Sequence, residues 1–242
     1  MKYYIYCIAA LFPLLFGCQA DKKEPSAQII KNEQTLRSEL DTFNLGTIPV
    51  TVTRVTKAGF DALPSVNFDT PEDKLLIADS SYVKRVGDTL AFKTLSKTVK
   101  LVNNDKENEG EAENYANYTY YGYLKNVGKF VVFGTYWEEY DYLLIDNKTG
   151  DIARVCGLPV VSPDGKKIVS GNVDLIATFT YNGIELLDSR NIIKPIAARE
   201  LNTWGPEEIK WKDNHTLFVK AQIADEKANN LVRTEYLSLT LK

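Results

Sequence analysis

All-β is the fold class that the sequence predicts, and three observations carry the prediction. From about residue 48 onward, apolar and polar residues alternate with period two, as in Val50-Thr-Val-Thr-Arg-Val55, a run rich in β-branched residues. Turn chemistry recurs between such runs: Val86-Gly87-Asp88, Asn126-Val-Gly128, Asn147-Lys-Thr-Gly150, Asp164-Gly165, Asn182-Gly183 and Asp213-Asn214. The runs are short and follow one another at similar spacing, which points to a sandwich, a barrel or a propeller.

Taken in order, the chain divides into three parts: 1–17, 18–46 and 47–242. The first carries Lys2 as its one charge, runs uncharged and apolar from Tyr3 to Phe16, and leads into Leu15-Phe16-Gly17-Cys18. A basic end, a short apolar core and a small residue form the order of a secretory signal peptide. The run is shorter than the roughly 20 apolar residues of a membrane-spanning helix. Residues 18–46 are polar, charged and poor in aromatics, as expected of a tether. Leu36, Leu40 and Phe43 stand at i, i+4 and i+7, which predicts a short helix over 31–43. After Val50–Val55, strands are expected at 74–78, 82–86, 89–94, 98–102, 118–124, 129–136 and 140–146, then at 167–171, 175–181, 184–188, 208–211, 216–221 and 231–241. One stretch breaks the rhythm: between Asn103 and Asn114, Asp105, Glu107, Glu109, Glu111 and Glu113 face only Lys106. Like charges this dense repel, so an exposed loop is expected. It lacks the Asp-x-Asp-x-Asp-Gly spacing that fixes oxygen ligands around Ca²⁺.

The Leu15-Phe16-Gly17-Cys18 stretch resembles the lipobox of bacterial lipoproteins, although Phe16 stands where that box usually has a small residue. The resemblance implies cleavage before Cys18 and acylation of Cys18, hence a chain held in the bacterial cell envelope by its lipid anchor. Two acyl chains anchor stably where one binds marginally. Gln19, rather than Asp, follows the cysteine; in proteobacterial lipoproteins that implies the outer membrane, on either its periplasmic or its surface side.

A second resemblance concerns the β region. Val160-Val-Ser-Pro-Asp-Gly-Lys-Lys-Ile-Val-Ser170 is similar to the hairpin of WD40-like, TolB-type β-propeller repeats. The stretch from Ile209 to Val219 has the same rhythm, and those from Val66 to Ile77 and from Tyr123 to Val132 are looser copies. Leu144-Ile-Asp-Asn-Lys-Thr-Gly150 matches the closing turn of such repeats. From Asp73 to Gly128, Gly165 and Asn214 the intervals are 55, 37 and 49 residues (128 − 73, 165 − 128, 214 − 165), close to the 40–50 of a blade. The resemblance implies a propeller-like array of about four blade-like units; an irregular barrel or a sandwich is the alternative.

Composition narrows the function classes. Formal net charge is -3 over the whole chain and becomes -4 when Lys2 leaves with residues 1–17. A mildly acidic chain has no electrostatic footprint for nucleic acid and no basic cluster for anionic lipid. Cys7 lies in the leader and Cys18 would carry lipid, so Cys156 stands alone and is read as a small buried hydrophobe rather than a reactive thiol. The chain holds one histidine, His215, in a turn; a three-histidine zinc site is impossible. There is no phosphate-cradling glycine loop. No catalytic residue, metal or other cofactor is expected.

The aromatics are the best candidates for function. Tyr115, Tyr118, Tyr120, Tyr121 and Tyr123 are followed by Tyr136, Trp137, Tyr140 and Tyr142. Tyrosine joins a flat apolar ring to a polar tip, which suits protein interfaces, sugar stacking and cross-strand packing alike. If Tyr118 and Tyr120 face one way on their strand, Tyr121 and Tyr123 face the other, so one set is structural. The candidate binding patch is Tyr136, Trp137, Tyr140 and Tyr142. Glu138 and Glu139 are the acidic residues beside it, and neighbours on a strand point apart, a poor geometry for an acid/base couple. The expected function is non-catalytic binding of a protein or peptide partner. A glycan-binding or glycan-cleaving surface lipoprotein, or an envelope inhibitor or immunity protein, are the alternatives.

Overall fold

The computed structural model describes residues 40–66, 68–104, 114–225 and 231–242. The leader, Cys18, most of the tether and its expected helix, and the heart of the acidic stretch lie outside the described residues. The protein is all-β, as expected, and is built of four antiparallel sheets. Sheet one joins both ends of the domain: β1 (Thr42–Leu45) and β2 (Ile48–Arg54) pair with β16 (Leu231–Leu241), β15 (Thr216–Asp225) and β14 (Trp204–Trp211), in the order β1-β2-β16-β15-β14. The other three are runs of consecutive strands. Sheet two is β3 (Val83–Val86), β4 (Thr89–Lys93) and β5 (Thr98–Val102); sheet three is β6 (Ala116–Leu124), β7 (Lys129–Tyr136), β8 (Tyr140–Asp146) and β9 (Ile152–Val155). Sheet four is β10 (Val160–Val161), β11 (Lys167–Asn172), β12 (Gly183–Asp188) and β13 (Ala197–Glu200).

Three apolar layers hold these sheets together. Phe92 and Leu101 of sheet two pack on Phe130, Val132, Leu143 and Ile145 of sheet three. The opposite face of sheet three, with Val131 and Leu144, packs on Ile168 and Leu187 of sheet four. Val169, Ile184 and Leu186 of sheet four then meet Trp204, Leu217, Val219 and Leu239 of sheet one. Sheets three and four are therefore buried on both faces. This explains why β7 and β8 carry unbroken apolar runs, Phe130–Phe133 and Leu143–Ile145, while the burial of the edge strand β5 alternates strictly. Each fully buried side chain in these layers contributes roughly 1.5–3 kcal/mol.

Two short helices lie between sheets one and two in sequence. α1 (Lys57–Asp61) begins at Thr56, whose hydroxyl accepts the Gly59 amide. Its Phe60 packs on Tyr236, and the Lys210 ammonium sits 4.2 Å over the Phe60 ring while donating to the Leu63 carbonyl. α2 (Glu72–Ala78) replaces the strand expected at 74–78. Pro71 precedes it and Glu72 and Asp73 occupy its first turn, where negative charge favours a helix start. Glu72 accepts the Tyr120 amide and two hydrogen bonds from Arg85, while buried Asp79, just past the helix, accepts the Tyr120 hydroxyl at 2.8 Å. The loose repeat copy from Val66 to Ile77 thus forms no hairpin.

Further differences are local. Thr42–Leu45 is a strand rather than the end of a helix, and Phe43 and Leu45 are buried in the core shared with sheet four. Residues 175–181 form part of a long loop instead of a strand, organised by Asp174, which accepts the amides of Thr178, Phe179 and Thr180. The short strands β9, β10 and β13 complete sheets that the turn signals left open. The other three hairpins with the repeat rhythm do form, at β6–β7, β10–β11 and β14–β15. In the turn between β10 and β11, Asp164 accepts the Ser162 hydroxyl and the Lys166 amide. His215 lies exposed in the turn between β14 and β15. In β6 the register shifts between Tyr120 and Gly122. Gly122 has φ +132°, which a residue with a Cβ rarely adopts. The bulge returns Tyr123 to the face of Tyr118 and Tyr120, against sheet two, and leaves Tyr121 alone on the sheet-four side.

At the end of the β7–β8 pair, Lys129 and Asp146 stand opposite each other and form a buried ion pair at 2.8 Å. Burial alone would raise the Asp146 carboxyl, but the Lys129 ammonium and the amides of Lys148 and Thr149 outweigh it and hold the group below its ordinary value. Lys129→Met should therefore destabilise the fold by about 3–5 kcal/mol, because it leaves a buried carboxylate without its counter-ion. Since the folded carboxyl is depressed, its stabilisation is present above the unfolded value of about 3.9 and is lost as pH falls through the lower folded value. Urea unfolding from about pH 5 downward should show the wild type losing more stability than Asp146→Asn.

Candidate functional site at the tips of sheets three and four

The expected patch is placed around the tip joining β7 to β8, but it does not form one surface. Tyr136 shares the sheet-two side with Tyr118, which it meets edge-on at 6.1 Å. Its hydroxyl donates to Asp141 Oδ1 at 3.0 Å. Arg154 on β9 donates to Asp141 Oδ2 at 2.8 Å and lays its guanidinium 4.8 Å from the centre of the Tyr136 ring. Gly134, two residues before Tyr136 on the same face, makes room for this arrangement. A Cβ there would come within 2.6 Å of the Tyr136 hydroxyl and 2.9 Å of Asp141. Burial raises the Tyr136 hydroxyl, and the neighbouring Asp141 charge raises it further. Burial also raises Asp141, an effect that Arg154 and the Tyr136 hydroxyl offset only in part. This trio is structural: it stitches the tip to β9.

Tyr140 and Tyr142 face sheet four. Tyr142 packs between Tyr121 and Phe133, at 5.7 and 5.0 Å, and burial with the adjacent Tyr121 pushes its hydroxyl up to about 12. Tyr140 lies nearer the surface and donates to Asn172 Oδ1 at 2.6 Å, linking the tip to sheet four. Trp137, Glu138 and Glu139 form the exposed turn itself, and the Trp137 indole is 56% exposed. Glu138 has φ +62°, a left-handed conformation unusual for a side chain of this size. Glu139 lies close enough to Asp141 to push that carboxyl up.

Two clefts meet at Tyr140. One, of about 370 Å³, runs between sheets three, four and one, with Tyr140, Tyr142, Asn172, Pro206 and Ile209 among its walls. The other, of about 330 Å³, opens between the β7–β8 tip and the loop from β11 to β12, with Tyr140, Phe179, Tyr181, Glu139, Glu185 and Arg154 around it. Sequence reasoning missed the loop's contribution. Read as a strand, 175–181 gave no reason to place Phe179, 55% exposed, beside Tyr140. The signal available was Asp174 ahead of Thr178 and Thr180, the composition of a side-chain-stapled turn. Thr178, at φ +56°, and Glu138 are the non-glycine residues with positive φ among those described, and they occupy the two loops that flank the second cleft.

Cys156 borders the same cleft and is partly buried. Burial, and then the nearby Glu185 carboxylate, push its thiol well above the ordinary value. Its Sγ lies 3.5 Å from the Ser170 hydroxyl and its amide donates to Glu185 Oε2 at 3.0 Å. A thiol held protonated is a poor nucleophile. Among the described residues no group of three or more His, Cys, Asp and Glu side chains is placed to hold a metal ion.

Tyr136→Phe removes only the hydroxyl that donates to Asp141 and should cost about 1 kcal/mol in denaturant unfolding. Trp137→Ala, at the exposed tip, should stay within about 0.5 kcal/mol of the wild type in the same measurement. Compared with family models, curated proteins and solved structures, the chain matches none.

Proposed function

We propose that this chain is a lipid-anchored protein of the bacterial cell envelope, held through Cys18 in the outer membrane, that acts as a non-catalytic binding module. The observation that carries the binding reading is the division of labour at the β7–β8 tip. Tyr136 and Tyr142 are fixed in packing, whereas Trp137 is exposed on the turn and Tyr140 lines two open clefts, on strands that the Asp141–Arg154 pair ties together. Aromatic side chains held rigid and partly exposed lose little conformational freedom on binding, which is the usual make-up of an interface anchor. The anchoring reading is supported by the Leu15–Cys18 stretch. We read the four sheets as blade-like units of a propeller-like array. Support comes from the three apolar layers between successive sheets and from the joining of the first strands to the last in sheet one.

The ligand favoured is a protein or peptide. A glycan is the second reading, favoured by the exposed Trp137 indole next to Tyr140, flat surfaces on which a sugar ring can stack. Cys18→Ser should move the protein from the membrane fraction to the soluble fraction and abolish incorporation of labelled fatty acid; an unmodified Cys18 in the wild type would overturn the anchoring. On affinity gels, retention by a glycan that Trp137→Ala abolishes would favour sugar. Retention by a protein partner lost in the same variant would favour the interaction module.

A further inference from the structure

The second cleft selects the charge of what it takes, an inference that rests on the binding-module reading and narrows it. Three carboxylates, Glu139, Asp141 and Glu185, line it against one guanidinium, that of Arg154. Arg154 is already engaged by Asp141 and by the Tyr136 ring. Among the described residues Glu139 and Glu185 form no ion pair, and Glu185 faces the cleft while holding the Cys156 amide. The lining therefore carries a formal charge of 1 − 3 = −2. Between these carboxylates stand the rings of Tyr140, Phe179 and Tyr181. Ring faces and carboxylates together attract an organic cation, the rings through their quadrupoles and the acids through charge. A volume of about 330 Å³ is at the small end of ligand pockets and suits one long side chain better than a branched oligosaccharide.

The wall formed by Arg154, Val155 and Cys156 says what carries the cation. It is the end of β9, and β9 is the outermost strand of sheet three, paired with β8 alone. An edge strand offers backbone donors and acceptors to an added extended segment. We propose that the cleft receives a lysine or arginine side chain of a partner protein, presented by an extended segment that lies along the outer edge of β9.

The test uses the full anchored chain in detergent, titrated calorimetrically with blocked pentapeptides whose central lysine is flanked by valines, and with arginine, norleucine and glutamate counterparts. The lysine and arginine peptides should bind roughly tenfold more tightly than the norleucine peptide, and added salt should weaken them. Glu139→Gln and Phe179→Ala, both at exposed positions, should each weaken the lysine peptide by roughly tenfold with thermal unfolding unchanged. Equal affinity for norleucine, preference for glutamate, or no binding of any peptide at millimolar concentration overturns the inference. If a glycan or an uncharged peptide binds and Trp137→Ala abolishes it, the cation inference fails while the binding-module reading stands. If the wild type retains neither a protein partner nor a glycan on the affinity gels, that reading fails independently of the peptides.

Discussion

Phe130, Val131 and Val132 follow one another along β7, and none of them is reached by solvent. Successive side chains on a strand point to opposite faces, so this triplet demands apolar cover on both sides at once. Sheet two supplies it for Phe130 and Val132, and sheet four for Val131. The same demand at Leu143, Leu144 and Ile145 on β8 doubles the effect. Sheet three is thereby fixed between its neighbours, and the position of every loop at its ends follows. The buried Lys129–Asp146 pair closes one end of these two strands, and the aromatic tip occupies the other.

That placement accounts for the character of the candidate site. The tip projects from a hairpin buried on both faces, so its base is rigid although its apex is exposed. Asp141, Arg154 and Tyr136 lock one side of it to β9, and the Tyr140–Asn172 hydrogen bond ties the other to sheet four. Trp137 and Glu139 stand exposed on that base, and the Glu139 carbonyl accepts the Tyr136 amide across the turn. Across the cleft, the Asp174 carboxylate gives the opposing loop a comparable order through three consecutive backbone amides. Two loops fixed in this way present rings and carboxylates at low cost in conformational freedom.

Much of the fold was legible in the sequence where a strand's own residues decide its state. β7, β8 and β16 have the bounds that alternation and turn residues predict. It failed where the decision was non-local or the signal short. Leu75-Leu76-Ile77 is apolar enough for a strand, yet Pro71, Glu72 and Asp73 start a helix there and Tyr120 and Arg85 hold it. β9 has four residues, too few for periodicity to register. The bulge at Tyr121 altered which tyrosines share a face, something that counting by twos cannot foresee. Of the site, the aromatic cluster at the β7–β8 tip was legible and its division between two faces was not. Arg154 reaches the tip through the pairing of β9 with β8, whereas Phe179 and Glu185 belong to sheet four and its loop, and only packing between sheets brings them to Tyr140.

Sheet one has a consequence for how the molecule is made. β2 lies beside β16, and Arg54 pairs with Leu237, so 183 residues separate the partners (237 − 54). Until β16 docks, β2 exposes an unfilled edge open to incorrect partners. Closing so long a loop is entropically unfavourable and slow. β2 therefore gains its second neighbour only once β16 is in place.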